Sequence, residues 1–227
     1  EEAFLGDYLS AGHVDGALLA LPHQGEPLLK RLMASRLPLV VLGKPVDTDE
    51  QERCSWVGID DEAAAYGVAN YLLAQGRWPI ATVTGPLATS SGRGRLAGFR
   101  RALGRQFRQN LVVQGDWSSQ SGYLGTKDLL ECHPTLAGLF VASDLMASGA
   151  MRALRDSGRL VPEEVAVAGF DDSPAALMTD PQLTTVRHPF EETALEAVRI
   201  LNDRLGGRAA GPEQLLLPTE FVIRGSA

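Results

Sequence analysis

The segment from Val165 to Pro189, VAVAGFDDSPAALMTDPQLTTVRHP, constrains the fold of this chain more than any other. It opens with an unbroken apolar run, Val165 to Phe170. A run that short, with no polar alternation, fits a parallel strand covered on both faces. It stops at Asp171-Asp172-Ser173-Pro174, which puts two carboxylates and a hydroxyl at the strand's carboxyl end. Open α/β sheets bind ligands at that end. A second strand, Leu183 to Arg187, leads through His188-Pro189 into a new helix.

The same alternation runs along the whole chain. Short apolar runs predict strands Val14 to Ala20, Leu39 to Leu42, Trp56 to Ile59, Ile80 to Thr84 and Leu111 to Gln114. Further strands are expected at Leu139 to Ala142, Val165 to Phe170, Thr184 to Arg187, Gln214 to Leu217 and Glu220 to Ile223. Amphipathic stretches predict helices Glu2 to Ser10, Pro27 to Ser35, Asp61 to Ala74 and Arg93 to Leu103. Three more follow at Ser119 to Glu131, Leu145 to Ser157 and Phe190 to Leu205, and a polar loop runs through Asp47, Asp49 and Glu52. Alternating βα units imply an α/β fold with parallel sheets and helices on both faces. Gly76, Gly158 and Gly206 stand where left-handed C-caps would sit, and Asp60, Ser118 and Asp144 where side-chain N-caps would. Gly67 and Gly149 fall inside helices, at about 1 kcal/mol each against alanine, with close helix-on-sheet packing as the expected compensation.

Composition narrows the function. At 227 residues and 44% hydrophobic, the chain buries one large core or two modest ones. A net charge of -7 argues against this segment holding nucleic acid by itself, because phosphate binding needs a basic face. Arg100, Arg101, Arg105 and Arg108 read as a solvated helix face and its exit. Cys54 and Cys132 lack metal-ligand spacing and read as reduced thiols, and the four histidines form no HExxH pattern. No apolar stretch is long enough to cross a bilayer. No cofactor motif, metal cluster or nucleophile–base pair is present, so no catalytic residue is assigned.

Four constellations carry polar chemistry beside strand ends. Thr84 to Arg95, TGPLATSSGRGR, offers hydroxyls, a helix N-terminus and a guanidinium suited to a polyol, carboxylate or phosphate. Its plainer reading is a helix start capped by Ser90 or Ser91. Gly115-Asp116-Trp117-Ser118 offers a ring against which a sugar could lie, or a ring packed over the sheet edge. Trp56 and Trp78 read as packing residues. In Val141-Ala142-Ser143-Asp144 the apolar run ends in a polar pair, with Asp144 read as a plain N-cap. Asp171 and Asp172, on an extended segment, should point to opposite sides and so form no catalytic pair.

The order and spacing of these pieces resemble the effector-binding core of the LacI/GalR family of bacterial transcription regulators, close to the lactose-repressor branch. VDGALLALP from Val14, LPLVVLGKP from Leu37 and WVGIDDEAAAYGVANYLLAQG from Trp56 carry the likeness. So do GPLATSSGRGRLAGFRRAL from Gly85, GDWS followed by SQSGY, VASDLMASGAMRALRDSG from Val141, VPEEVAVAGFDD from Val161 and the tail LPTEFVIRGS. The resemblance implies two Rossmann-like subdomains of the type I periplasmic-binding-protein kind, joined by three crossovers near Asp60, His188 and Leu217. One would hold residues 1–59 and 190–216, the other 60–187 and 218–227. The first would be incomplete, since family members carry a strand, a helix and a strand ahead of Glu1, preceded by a helix-turn-helix headpiece.

By the same resemblance a small polar effector, a sugar or related polyol, sits between the subdomains, and hinge closure alters operator affinity. The implied effector-binding residues are Arg95, Asp171, Trp117, Ser91, Thr89, Ser143, Phe170, His188 and Phe190. Ser143 stands where many members carry asparagine, and His188 is either a ligand contact or a satisfied surface histidine. Gly43-Lys44 replaces an aspartate near the ligand, which puts a galactoside in doubt. The implied partners are the effector, operator DNA through the upstream headpiece and a second copy of the chain, in the cytoplasm, with no membrane and no cofactor. A periplasmic sugar-binding protein of a transporter is the alternative. Arg95→Ala and Asp171→Ala are each expected to abolish effector binding without unfolding the domain.

Overall fold

In a computed structural model the chain folds as two compact units, described separately below. The structure describes Leu9 and residues 13–20, 27–35 and 37–227. The expected helix Glu2 to Ser10 therefore lies, apart from Leu9, outside the described residues. Unit 1 draws on Glu1–Ile59, Ala88–Ser90 and Pro189–Pro218, and unit 2 on Asp60–Leu87, Ser91–His188 and Thr219–Ala227.

In chain order the elements are β1 (Ala17–Ala20), α1 (Pro27–Ala34), β2 (Leu39–Leu42), α2 (Thr48–Arg53) and β3 (Ser55–Ile59). Then come α3 (Asp61–Ala74), β4 (Ile80–Thr84), α4 (Ser90–Leu103), β5 (Val112–Gln114), α5 (Ser119–Cys132) and β6 (Gly138–Val141). Next are α6 (Asp144–Asp156), β7 (Ala166–Ala168), α7 (Pro174–Leu177) and β8 (Thr185–Arg187). The chain closes with α8 (Phe190–Leu205), β9 (Gln214–Leu217) and β10 (Glu220–Val222).

Unit 1 is a parallel sheet in the order β1-β2-β3-β9. Its period-two alternation decides which helix each side chain meets. Leu39, Val41 and Trp56 face α1 and bury Leu28, Leu29 and Leu32. Val40 and Val57 face the other way and bury Ala197 and Ile200 of α8. Unit 2 is a parallel sheet in the order β5-β4-β6-β7, flanked by the antiparallel pair β8–β10. Every residue of β4, β6 and β7 is buried, which is why β6 and β7 read as unbroken apolar runs and β4 as one broken only by Thr82 and Thr84. Backbone bonds from Gly169 to Thr184 and from Val167 to Ser226 stitch β7 to the segments around β8 and the C-terminus.

Several expectations need correction. The polar loop through Asp47, Asp49 and Glu52 is the helix α2, with Asp49 and Glu50 in its first turn and Arg53 in its last. That arrangement complements the helix dipole, and Arg53 pairs with Asp49 one turn back. The left-handed glycine after α8 is Gly207 (φ 68°), not Gly206, whose φ is -79°. Trp78 is not a packing residue but stands 44% exposed, whereas Trp56 is in the core as read. Helix α4 starts at Ser90, ahead of the expected Arg93, so both candidate cap serines lie inside its first turn and Thr89 precedes it. Of the expected arginine face, Arg101 pairs with Glu62 and lies over Tyr66, and Arg100 lies over Phe107.

The two mid-helix glycines divide. Gly149 in α6 meets no sheet but the neighbouring helix α5: a Cβ there would lie 1.8 Å from the Ser119 carbonyl oxygen. Gly122 of α5 meets Met146 O in the same way, at 2.0 Å. The glycines set the close approach of α5 and α6. A Cβ at Gly67, by contrast, would meet nothing within 4 Å. Gly149→Ala is therefore expected to lower stability by about 2–3 kcal/mol through overpacking, and Gly67→Ala to raise it by about 1 kcal/mol. Urea denaturation midpoints of the two variants, moving in opposite directions, check both.

Candidate ligand-binding site

Four parallel strands of unit 2 deliver their carboxyl-terminal connections to one place. Gly85–Leu87 follows β4, Gly115–Ser118 follows β5, Ala142-Ser143 follows β6 and Gly169–Ser173 follows β7. Crevices beyond strand carboxyl ends are where open α/β sheets hold small molecules.

Arg95, one turn beyond Ser91 on α4, enters this place and is almost completely buried. Its Nε donates to Asp61 Oδ1 at 2.8 Å, and its Nη1 donates to the Ala142 carbonyl at 2.6 Å and to Asp171 Oδ1 at 3.0 Å. Its other terminal nitrogen, Nη2, makes no hydrogen bond to any described residue. The guanidinium plane sits 3.7 Å from the Phe170 ring centroid and 5.7 Å from that of Trp117. Burial disfavours the guanidinium charge, but Asp171 and Asp61 outweigh it and hold Arg95 above its ordinary pKa. Asp171 lies above the ordinary carboxylate range because burial, helped by the Asp61 charge, exceeds the pull of Arg95. One cation thus faces two carboxylates.

Trp117 has a left-handed backbone (φ 73°), and its half-buried ring comes directly against Gly85. A Cβ at Gly85 would come within 2.0 Å of the ring, so the glycine is the seat of the tryptophan. The turn is fixed by Asp116, which accepts from the Ser118 amide and hydroxyl. These bonds lower the Asp116 carboxyl to about 2. Of the two readings of Trp117 the packed one is observed: the ring sits on a glycine, beside the buried guanidinium.

The cap of α6 is Ser143, whose Oγ accepts from the Met146 amide; Asp144 is not the plain N-cap expected of it. Asp144 is fully buried and reaches across to two other segments. Its Oδ1 accepts from Thr185 Oγ1 at 2.6 Å and its Oδ2 from the Ser173 amide at 2.7 Å. Burial pushes its carboxyl up to about 6, against those hydrogen bonds.

Asp171 and Asp172 are not extended: their φ angles are 107° and 54°. They still serve different partners. Asp171 holds Arg95, while Asp172 accepts from Arg224 at 2.6 Å and Arg187 at 2.8 Å. Burial works against the Asp172 charge, yet the two guanidiniums hold its pKa below the ordinary range. Asp172 therefore braces β8 against the C-terminal segment.

Unit 2 brings Arg95, Asp171, Phe170 and Trp117 together, with Ser143 next to the carbonyl that Arg95 grips. His188 is half-buried, and burial together with the Arg95 charge lowers it to about 4, so it is neutral at physiological pH. Ser91 sits half-buried in the first turn of α4. Thr89, buried, and Phe190, 56% exposed, belong to unit 1. Asp61 went unseen in the sequence, where it reads only as the acidic first residue of a helix. Nothing local signals that Arg95, 34 positions on, returns to it. Among the described residues no His/Cys/Asp/Glu group is placed to hold a metal, and no helix is long and apolar enough to cross a membrane.

Residues 69–227 match the periplasmic binding protein-like domain family, which defines the class of fold. The HTH-type transcriptional regulator CelR of Thermobifida fusca is 39% identical over 100% of this chain and 67% of its own length. The ribose operon repressor of Halalkalibacterium halodurans is 31% identical over 95% of the chain and 63% of its own. Among solved structures, a CelR–cellobiose complex superposes with a TM-score of 0.96 at 38% identity, covering 100% of this chain and 70% of that one. The lac repressor dimer bound to operator and the anti-inducer ONPF superposes at 0.83 with 30% identity, covering 95% and 74%. The chain belongs to the LacI/GalR family of transcriptional regulators, as the ligand-sensing core of such a regulator. It is neither an enzyme nor a transporter's binding protein. It spans about two thirds of the length of the curated relatives it matches.

The buried carboxyl of Asp144 gives a pH signature. It keeps its proton to about 6 when folded but only to the ordinary 3.8 when unfolded, so the folded state binds more protons between those values. Its contribution is present below pH 3.8 and is lost as pH rises through about 6, about 3 kcal/mol in all. Denaturation at steps from pH 4 to 7 should show this slope in the native chain and not in Asp144→Asn.

Proposed function

We propose that this core binds a neutral saccharide at the strand ends of unit 2, and that the regulator containing it links that binding to operator affinity. The observation that carries the reading is the buried guanidinium of Arg95, fixed by two carboxylates and flanked by the Phe170 and Trp117 rings. Carboxylates accept strongly from sugar hydroxyls, a guanidinium with an unused edge donates to them, and an aromatic face suits a pyranose ring. Two carboxyl groups, Asp61 and Asp171, already hold the single cation Arg95, a lining that disfavours phosphates and carboxylates. The CelR–cellobiose complex supports a saccharide guest by likeness.

Asp171, Arg95, Trp117, Phe170 and Ser143 are the proposed contacts from unit 2, with Ser91 and His188 beside them and Thr89 and Phe190 from unit 1. The proposed subdomains are 1–59 with 190–216, and 60–187 with 218–227. The whole regulator is proposed to act in the cytoplasm as a homodimer whose upstream headpiece holds operator DNA. The lac repressor dimer on its operator supports that arrangement. Two-fold symmetry suits a palindromic site, and linkage makes the effects of effector and operator reciprocal.

Calorimetric titration with cellobiose, glucose, glucose 6-phosphate and glucuronate tests the reading. Neutral sugars should bind and the anionic ones should not; anions binding more tightly would sink it. Asp171→Asn is expected to weaken the best sugar by about 100-fold, from loss of a charge-assisted acceptor. Arg95→Ala, by contrast, leaves Asp61 and Asp171 buried without their cation. It should cost about 3–5 kcal/mol of stability besides abolishing binding, so Arg95 is not separable from the fold.

A further inference from the structure

Asp144 sits one layer behind the proposed effector contacts. Its side chain ties three segments that are distant in sequence: α6, the loop after β7 and strand β8. Ser173, whose amide it holds, is two residues beyond Asp171, and Thr185, whose hydroxyl it holds, opens β8. The Asp144 amide meanwhile donates to the Phe170 carbonyl at 2.8 Å. The turn Phe170–Ser173 is thus gripped at both ends by one residue. Asp171 lies between those grips, at a φ of 107° that few L side chains adopt.

The surroundings leave the carboxylate no freedom. A Cβ at Gly169 would lie 2.5 Å from Asp144 Oδ1, so the strand end passes directly against it. The backbone of Asp171 is held from the far side as well, its amide donating to the Val186 carbonyl and its carbonyl accepting from the His188 amide. Asp171 depends on β8 for its position, and Asp144 fixes β8 through Thr185.

We propose that Asp144 is a positioning residue: it sets the direction of Asp171 toward Arg95, and so the affinity of the site, without touching the effector. The proposal rests on the reading of Asp171 as an effector contact only for its affinity arm. Its geometric arm stands without any ligand. Asp144→Asn keeps the volume but replaces one acceptor by a donor facing the Ser173 amide or the Thr185 hydroxyl. Thr185→Val removes the hydroxyl donor alone, and Thr185→Ser keeps it.

The test compares ligand-free crystal structures of the full native chain and the three variants, with cellobiose titrated calorimetrically into each. Asp144→Asn and Thr185→Val should lengthen the 3.0 Å contact between Arg95 Nη1 and Asp171 Oδ1 to beyond hydrogen-bond reach. Each should weaken cellobiose tenfold or more. Thr185→Ser should restore both to within about twofold of the native chain, which a general loss of packing would not allow. An Asp171 unmoved in both Asp144→Asn and Thr185→Val overturns the proposal, as does undiminished affinity in both. If Asp144→Asn fails to fold, the Thr185 pair decides alone. If the native chain binds no cellobiose while Asp171 moves as expected, the saccharide reading falls and the positioning role stands.

Discussion

The ion cluster around Arg95 is the interaction on which unit 2 depends. A guanidinium taken out of water is stable only if its charge and its N–H groups are met inside. Here the charge is met by Asp61 at the start of α3 and Asp171 beyond β7, and the N–H groups of Nε and Nη1 by those two carboxylates and the Ala142 carbonyl at the end of β6. One side chain from α4 therefore fastens three separate elements. Each of those elements could pack by apolar contact alone, but apolar contact is non-directional and would leave their ends free to slide. The charged cluster supplies the direction, and it does so at the carboxyl ends of the sheet's strands.

Rigidity around that cluster comes from neighbours that do not touch Arg95. Ser143 caps α6 so that Asp144 is spared for longer reach. Gly85 makes room for the Trp117 ring, and Gly169 makes room for the Asp144 carboxylate. Three residues near the site hold positive φ without being glycine: Trp117, Asp171 and Asp172. Each conformation costs on the order of 1–3 kcal/mol and persists only because hydrogen bonds around it leave no alternative. Strain of this kind is concentrated at the end of the sheet where the proposed contacts lie.

What was legible in the residues follows from how local the cause was. Short, largely apolar runs gave β2, β4 and β9 with their bounds intact, and the Asp60 cap of α3 and the amphipathic periodicity of α8 bounded those helices likewise. Helix α2 was missed because its six residues, TDEQER, have no apolar face; only the charge order at its ends could have betrayed it. Arg95, Asp171 and Trp117 stood out because they lie in loops after strands and matched a family pattern. Asp61 and Asp144 did not, because each looks like an ordinary acidic residue at a helix start. Their partners are distant in the chain, and no spacing rule joins Asp144 to Thr185. The side-chain directions of Asp171 and Asp172 were likewise hidden, since a left-handed pair of aspartates breaks the alternation that an extended segment would give.

The adjacency of Asp171 and Asp172 has a mechanical meaning. Asp171 faces the buried guanidinium, while its neighbour clasps Arg187 at the end of β8 and Arg224 just past β10. Arg187 reaches Glu220 as well, so the two antiparallel strands are joined both by their ladder and by charge. Beyond β8 the chain passes into unit 1 at Pro189, and ahead of β10 it returns to unit 2 at Thr219. Any guest that competes with Arg95 for Asp171 acts one peptide away from the residue that locks these two strands. Such a guest shifts a conformational balance only by the difference in its affinity for the two states, about 1.4 kcal/mol for each tenfold.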